Sequence, residues 1–165
     1  MAVSLSMLIE AQGWQAQPEL EALVERVLVK AETLCGVPLM DGAEVSVLMC
    51  DDAHIQEINK EWRGLDKPTN VLSFPAAPKE ALARLPVVGD IAVAYETVVR
   101  EAAEEGKSLP DHVAHMIAHG FLHLVGFDHE TDEEAEEMEA LEIRILGELG
   151  IADPYAMGEL DMRER

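Results

Sequence analysis

The sequence predicts a single α+β domain, in which about five helices pack on a small mixed sheet of about four strands. Three features support this fold class: segments patterned like β-strands, amphipathic segments with helical spacing, and one later segment that is apolar almost all round. The last of these is predicted to be a buried helix at the centre of the fold. Residues 1–150 are expected to form the domain and residues 151–165 a C-terminal tail.

The first third of the chain is predicted to contain two strands and two helices. Residues 3–10 begin with alternating apolar and polar side chains, which is typical of a half-buried strand, and residues 44–50 form a second strand. The segment between them begins a helix near Pro18 and repeats apolar residues at intervals of three and four. Asp51 or Asp52 is expected to cap the second helix.

The middle of the chain is predicted to supply two more strands and one helix. A short strand covers residues 70–74, and a further strand covers residues 91–95. Between them lies a loop framed by prolines, with a helical turn expected at residues 79–85. Residues 96–105 are predicted to be helical and to stop at Gly106.

The next helix is predicted to be the most deeply buried one. Ser108 and Asp111 resemble a capping box at its start, with an aspartate in the place of the usual glutamate. The helix is apolar nearly all round, and its only polar stripe consists of four histidines: His112, His115, His119 and His123. This single polar stripe is expected to line a pocket.

The last helix is predicted to begin with a capping box at Thr131 and Glu134 and to run to about Leu149. Its apolar side is expected to face the core and its acidic side to be solvated. Eight acidic residues lie between Glu130 and Glu142, so this helix carries much of the negative charge of the chain.

The composition indicates a soluble cytoplasmic protein. The formal net charge is −21 at pH 7, which opposes non-specific binding to nucleic acid or to an anionic membrane. Two cysteines are too few for a disulfide framework and suit a reducing compartment. The first residues lack a basic region followed by a long apolar run, and no apolar stretch approaches the roughly 18 residues of a membrane helix. We therefore expect no signal peptide and no membrane association.

Four of the six histidines lie within residues 115–129. His119 and His123 are four positions apart, so on a helix they lie on one face and reach one metal ion. Gly126 can adopt the left-handed conformation that ends a helix, after which the chain turns back and brings His129 to the same point. Three imidazoles at one ion form the arrangement of a catalytic zinc site that keeps a free position for water.

This spacing also matches the metzincin protease motif H-E-x-x-H-x-x-G-x-x-H, except that Gly120 stands in place of the glutamate. That glutamate is the general base of peptide hydrolysis. The metal geometry therefore fits a metzincin, whereas the protease chemistry does not. A closed structural zinc site would need a fourth protein ligand. Cys35 and Cys50 are candidates for it, although neither has the paired spacing of structural sites.

Basic residues are scarce, and three of them, Lys60, Arg63 and Lys67, cluster before the strand at 70–74. The Arg63 guanidinium could hold an anionic group by two parallel hydrogen bonds, or it could pair with a surface carboxylate. A three-histidine metal with an arginine nearby is a combination suited to phosphoryl transfer or hydrolysis.

The general base of such a reaction is less clearly indicated. Asp128 and Glu130 flank the third histidine and are candidates, and a metal-bound hydroxide is a further alternative that needs no protein base. We expect Asp128 instead to accept a hydrogen bond from a ligating imidazole. Thr69 and Ser73 carry hydroxyl groups near Arg63, and we expect both to be structural.

The chain resembles the YbeY family of endoribonucleases at three motifs. The segment His119-Gly-Phe-Leu-His-Leu-Val-Gly-Phe-Asp-His129 resembles the family signature H-G-x-L-H-L-x-G-[YF]-D-H, and His115 fits the histidine that precedes it. Asn59-Lys-Glu-Trp-Arg63 followed by Lys67-Pro-Thr-Asn-Val-Leu-Ser-Phe-Pro75 resembles the second motif, and Gly89-Asp-Ile91 resembles the third. The resemblance covers roughly residues 40–150.

The resemblance implies a single-domain α+β fold with one zinc-like ion on His119, His123 and His129, and with Arg63 as the functional arginine of the cleft. It implies a zinc-dependent, single-strand-specific endoribonuclease that acts in 16S rRNA 3′-end maturation and in ribosome quality control. The partners implied are single-stranded rRNA, the small ribosomal subunit and its assembly factors, in the cytoplasm. Residues 1–150 would form this endoribonuclease domain.

Two other functions remain open at this stage. The chain could be a ribosome-assembly binding module with a structural metal, or a metal-dependent hydrolase of another substrate such as a peptide. Because the bulk charge opposes binding to RNA, we expect the cleft near Arg63 to be less negative than the rest of the surface.

Overall fold

The computed structural model describes residues 3–156. Within this range the chain forms one α+β domain with four strands and seven helices, two of which have only four residues. In chain order they are β1 (Ser4–Ile9), α1 (Gln12–Gln15), α2 (Leu20–Cys35), β2 (Glu44–Cys50), α3 (Asp52–Arg63), β3 (Val71–Pro75), α4 (Lys79–Leu82), β4 (Val87–Ala94), α5 (Tyr95–Glu105), α6 (Leu109–Leu124) and α7 (Asp132–Glu148). The predicted fold class is confirmed.

The four strands form one mixed sheet in the order β1-β2-β4-β3. Strands β1, β2 and β4 are parallel, and β3 lies antiparallel to β4 at one edge. The parallel pairs require crossover connections, which α2 and the α3–β3 segment provide. Arg63, at the end of α3, precedes this edge strand in the chain.

Strand β4 begins at Val87, four residues earlier than the predicted start at Ile91. The sequence Gly89-Asp90 was expected to be a lead-in, but Gly89 pairs with Val45 on one side and with Pro75 on the other. Its φ of +150° and the 2.4 Å between an ideal Cβ and the Phe74 carbonyl oxygen explain why glycine occupies this point. A glycine inside a strand was therefore mistaken for a strand boundary.

Helix α6 packs against β3 and β4 on one side and contacts α2, α5 and α7. Ser108 caps its first turn by accepting a hydrogen bond from the Asp111 amide. Eleven of its sixteen residues are buried, as expected for the central helix. The prediction that the whole stripe of four histidines lines a pocket was wrong, because His112 and His115 are only 2% and 8% exposed.

Helix α7 begins with the predicted capping box, in which Thr131 and Glu134 each bind the other's main-chain amide. Its acidic side is largely exposed, with one exception that was not predicted: Glu142 is 1% exposed. No helix within residues 3–156 is both long enough and apolar enough to cross a membrane.

Candidate active site

Three imidazoles converge at the C-terminal end of α6. His119 and His123 lie one helical turn apart, and His129 comes from the loop that follows the helix. Each offers a ring nitrogen, and these three atoms lie within 4.8 Å of one another. Among residues 3–156 no fourth histidine, cysteine or carboxylate joins the group. The structure therefore brings together the three histidines selected from the sequence.

The chain reverses direction immediately after α6 to deliver His129. The helix ends at Leu124, and the Phe127 amide donates a hydrogen bond of 2.9 Å to the Leu122 carbonyl. Gly126 has a φ of +101°, and a Cβ there would lie 2.9 Å from the Lys79 side chain. A residue with a side chain would be strained at this position, so glycine permits the reversal.

Hydrogen bonds to Nδ1 fix the orientation of two of the imidazoles. His123 Nδ1 lies 3.0 Å from the Phe127 carbonyl oxygen, which can only accept, so Nδ1 carries the proton. His119 Nδ1 lies 2.9 Å from Glu142 Oε2 and donates to that carboxylate. In the neutral form of each ring the lone pair is then on Nε2, and the two Nε2 atoms lie 3.1 Å apart.

The two Nε2 atoms and a ring nitrogen of His129 lie close enough to bind one ion, so the donor set fits a metal ion. Burial, together with neighbouring His119 and His129, lowers the pKa of His123 to about 4, which favours the neutral form that ligates metals. Neutral imidazoles from His119, His123 and His129 are a donor set that zinc accepts readily.

Neither cysteine belongs to this site. Cys35 and Cys50 are both buried thiols. Burial raises the pKa of Cys50 to about 12, which opposes the thiolate form that binds zinc. The structural-site alternative with a cysteine as fourth ligand is therefore not favoured.

A second group, Glu101, Glu105 and His112, also meets the spacing of metal ligands. Its members have protein partners already. Glu101 binds His112 Nε2 at 2.9 Å and accepts from the Asn70 amide group, while Glu105 pairs with Lys107 at 2.8 Å. The contact between Glu101 and His112 joins α5 to α6, so this group has a structural role that needs no ion.

The three histidines open onto a cavity of about 530 Å³ that also contains Arg63. Arg63 is the last residue of α3, and Gly64 ends that helix in the left-handed conformation. The Asn59 side chain donates a hydrogen bond of 2.9 Å to the Lys67 carbonyl and holds the following loop. Within residues 3–156 no carboxylate pairs with Arg63, so the alternative of a surface ion pair is not supported.

Asp128 does not hold an imidazole, contrary to our expectation. Its carboxylate accepts a hydrogen bond of 2.8 Å from the His129 main-chain amide, which fixes the loop. The expected role is divided between the Phe127 carbonyl, which holds His123, and Glu142, which holds His119. The expectation was wrong because the Asp128 carboxylate binds the main chain of the tight turn immediately before His129.

Gly120 lies against the sheet and does not line the cavity onto which the three imidazoles open. An ideal Cβ on Gly120 would lie 3.1 Å from Ile91 and 3.2 Å from Ser73 Oγ. Ser73 in turn donates a hydrogen bond of 3.1 Å to the Gly120 carbonyl, so Ser73 is structural as expected. A side chain at this position would press on Ile91 and Ser73, which favours glycine over the glutamate that a metzincin protease uses as its general base.

Sequence reasoning missed Glu142 and Tyr155. Burial alone would raise the pKa of Glu142, but hydrogen bonds from His115 and His119 lower that pKa to about 2. The Tyr155 hydroxyl also binds this carboxylate at 2.5 Å. A usable signal was present, because Glu142 falls in the buried stripe of α7 between Met138 and Ile145.

Comparisons with known proteins identify a family. The family model described as Endoribonuclease YbeY matches residues 8–150, a wider span than the motifs alone indicated. The chain is 51% identical to the Endoribonuclease YbeY of Methylocella silvestris, over 92% of this chain and 85% of that protein. It is 52% identical to the protein of the same name from Allorhizobium ampelinum, over 93% of this chain and 95% of that protein.

A solved structure shares the fold. The solution structure of a Thermotoga maritima protein is similar with a TM-score of 0.57 and 28% sequence identity. The similarity covers 88% of this chain and 91% of that chain. The arrangement of helices around the sheet is thus found in a distant relative.

Proposed function

Because this chain belongs to the Endoribonuclease YbeY family, we propose that it is a metal-dependent endoribonuclease that cleaves single-stranded RNA. The proposed ligands of one Zn²⁺ ion are His119, His123 and His129, and the proposed catalytic residue is Arg63. The observation that carries the proposal is that all four side chains line one cavity. The donor set and the hydrogen bonds that orient it support a metal, and a guanidinium with no carboxylate partner within residues 3–156 supports an anionic substrate.

The chemistry proposed is hydrolysis of a phosphodiester. When bound, the ion supplies Lewis-acid activation of a phosphoryl oxygen and lowers the pKa of a coordinated water. Arg63 binds the phosphate through two parallel hydrogen bonds and stabilises the negative charge that develops in the transition state. Its exposure allows the guanidinium to reach a substrate without rearrangement of the core.

Glu130 is the candidate for moving the proton of the attacking water. It lines the same cavity as Arg63, whereas the neighbouring Asp128 carboxylate is already engaged by the His129 amide. Asp128 and Glu130 are the two carboxylates among the described residues that line the cavity with Arg63. A divalent cation together with Arg63 more than offsets them, which supports local RNA binding on an otherwise acidic protein.

The biological role that we propose is 16S rRNA 3′-end maturation and ribosome quality control in the cytoplasm. The small ribosomal subunit and its assembly factors would be the partners. These assignments are supported by family membership and by a cavity that combines three histidines with Arg63, a combination suited to a phosphodiester.

The test is cleavage of a labelled single-stranded RNA by the purified protein loaded with zinc. We expect His119→Ala and Arg63→Ala to abolish cleavage, while Arg26→Ala, which changes an exposed arginine outside the cavity, retains it. A double-stranded RNA of the same sequence should be resistant. Cleavage that persists equally in both site variants would overturn the proposal and indicate a contaminating nuclease.

The ribosome-assembly alternative gives a different result in the same experiment. A binding module with a structural metal should not cleave RNA and should need a closed set of four ligands. The three-histidine group within residues 3–156 does not favour this alternative.

A further inference from the structure

We propose that Glu142 is a positioning residue for the metal site, because it holds the His119 imidazole with its proton on Nδ1 and its Nε2 lone pair directed to the ion. This inference rests on the proposed function. Glu142 belongs to α7, a different element from the helix that carries His119. It lies outside the histidine motif and does not line the cavity.

The burial of Glu142 requires an explanation. Among residues 3–156 it is the one acidic side chain that is fully buried, and it is only 1% exposed. A carboxylate removed from water is strongly destabilising unless donors surround it. The fold supplies three such donors, so the position is built to keep a negative charge beside α6.

The two carboxylate oxygens have different partners. Oε1 accepts from His115 Nε2 at 2.7 Å and from the Tyr155 hydroxyl at 2.5 Å. Oε2 accepts from His119 Nδ1 at 2.9 Å. The donors on Oε1 hold the carboxylate in one orientation, and Oε2 is left to orient the imidazole of the ligand.

The geometry of the contact gives this hydrogen bond one direction. Glu142 Oε2 lies 2.9 Å from His119 Nδ1, and a carboxylate oxygen can only accept a hydrogen bond. His119 must then place its proton on Nδ1. A carboxylate that holds a ligating histidine in this way also makes the imidazole a stronger ligand.

His115 is the support of this cluster and not a fourth ligand. Its Nε2 is taken by Glu142, and its Nδ1 is buried without a partner. Burial lowers the pKa of His115, which keeps the ring neutral between α6 and α7. His115 and Tyr155 therefore hold Glu142, and Glu142 holds His119.

The first experiment measures zinc affinity of the full-length chain by competition with a chromophoric chelator. Glu142→Gln keeps the size of the side chain but removes the charge and one acceptor oxygen. We expect zinc affinity to fall by about 10–100-fold, as is typical when the partner of a ligating histidine is lost. The matched control is Glu137→Gln, the same change at an exposed position of α7, which should bind zinc as the wild type does.

A second experiment uses the wild type alone, so it tests the inference even if Glu142→Gln does not fold. Nitrogen-15 NMR of the imidazoles in the zinc-loaded wild type should show a proton on His119 Nδ1 and the metal on Nε2. A merely structural anchor between α6 and α7 would not determine this tautomer. The opposite tautomer would overturn the inference.

The outcomes separate this inference from the proposed function. Equal zinc affinity in the wild type and in a folded Glu142→Gln variant would overturn the positioning role and leave the nuclease proposal standing. A wild type that binds no zinc would overturn both.

Discussion

The Ser73 hydroxyl on β3 donates a hydrogen bond of 3.1 Å to the main-chain carbonyl of Gly120 in α6. This bond joins the edge strand, which follows the Arg63 loop, to the helix that carries His119 and His123. The contact is close because Gly120 has no side chain. The close contact at Gly120 thus fixes the position of β3, and of the loop before it that follows Arg63, relative to the proposed metal ligands. A metzincin has its catalytic glutamate at the position of Gly120.

Substitutions at Gly120 should therefore destabilise the protein. An alanine Cβ would crowd Ile91 and Ser73, at a cost of about 1–3 kcal/mol that exceeds the gain of about 1 kcal/mol in helix propensity. We expect a lower melting temperature for Gly120→Ala and a much lower one for Gly120→Glu, with no peptidase activity. Thermal unfolding followed by circular dichroism measures the change.

Gly147→Ala is the control for this prediction. Gly147 lies in α7 and an added Cβ meets nothing within 4 Å, so the alanine should stabilise by about 0.5–1 kcal/mol. If Gly120→Ala stabilised the protein equally, the contact between α6 and β3 would be looser than the structure indicates.

Arg63→Lys should separate charge from geometry. Lysine keeps the positive charge but loses the planar fork that binds a phosphate through two hydrogen bonds. Because a hydrogen bond to a charged group contributes about 1.5–3 kcal/mol, the single-turnover cleavage rate should fall by about 10-fold or more. The free energy of unfolding should stay within about 0.5 kcal/mol, since Arg63 is exposed. A lysine variant with the full rate would mean that only the charge of residue 63 matters.

Zinc should raise the melting temperature through the three histidines. At a free zinc concentration of about 100 Kd the gain in unfolding free energy is about 2.7 kcal/mol, provided that the unfolded chain binds no metal. The gain should disappear in His129→Ala and persist in His54→Ala, which removes a histidine bonded to Glu10 outside the site. A shift that survives in His129→Ala would direct attention to the Glu101–Glu105–His112 group.

The metal-free protein should lose stability between pH 6.5 and about 4. Burial, followed by the effects of His119 and His129, lowers the pKa of His123 from 6.5 to about 4. In this interval the unfolded chain binds a proton that the folded chain excludes, so the unfolding free energy falls as the pH falls. His123→Gln should show a shallower dependence in urea titrations at a series of pH values, and an unchanged slope would contradict this reasoning.

Local patterns explain what the sequence predicted well. Strand β2 matches residues 44–50 because a short apolar run bounded by polar residues depends only on its neighbours. The capping box of α7 is equally local, since Thr131 and Glu134 satisfy each other across one turn. The three histidines were found because a helix and one reversal of the chain fix their spacing.

Contacts between distant segments explain what the sequence missed. Glu142 lies 23 and 27 positions from the two histidines that it binds, and Tyr155 lies 40 positions from His115. No periodicity reports such pairings. The strand order likewise depends on the parallel pairing of β1 with β2 across α2, which composition does not encode.

The position of Tyr155 has a practical consequence for anyone who trims this chain for crystallisation. Truncation near the end of α7, where a tail was expected to start, would remove Tyr155 and with it the hydroxyl that binds the Glu142 carboxylate. We expect such a shortened protein to fold and to bind zinc more weakly, so that a loss of activity would be assigned to the wrong part of the molecule.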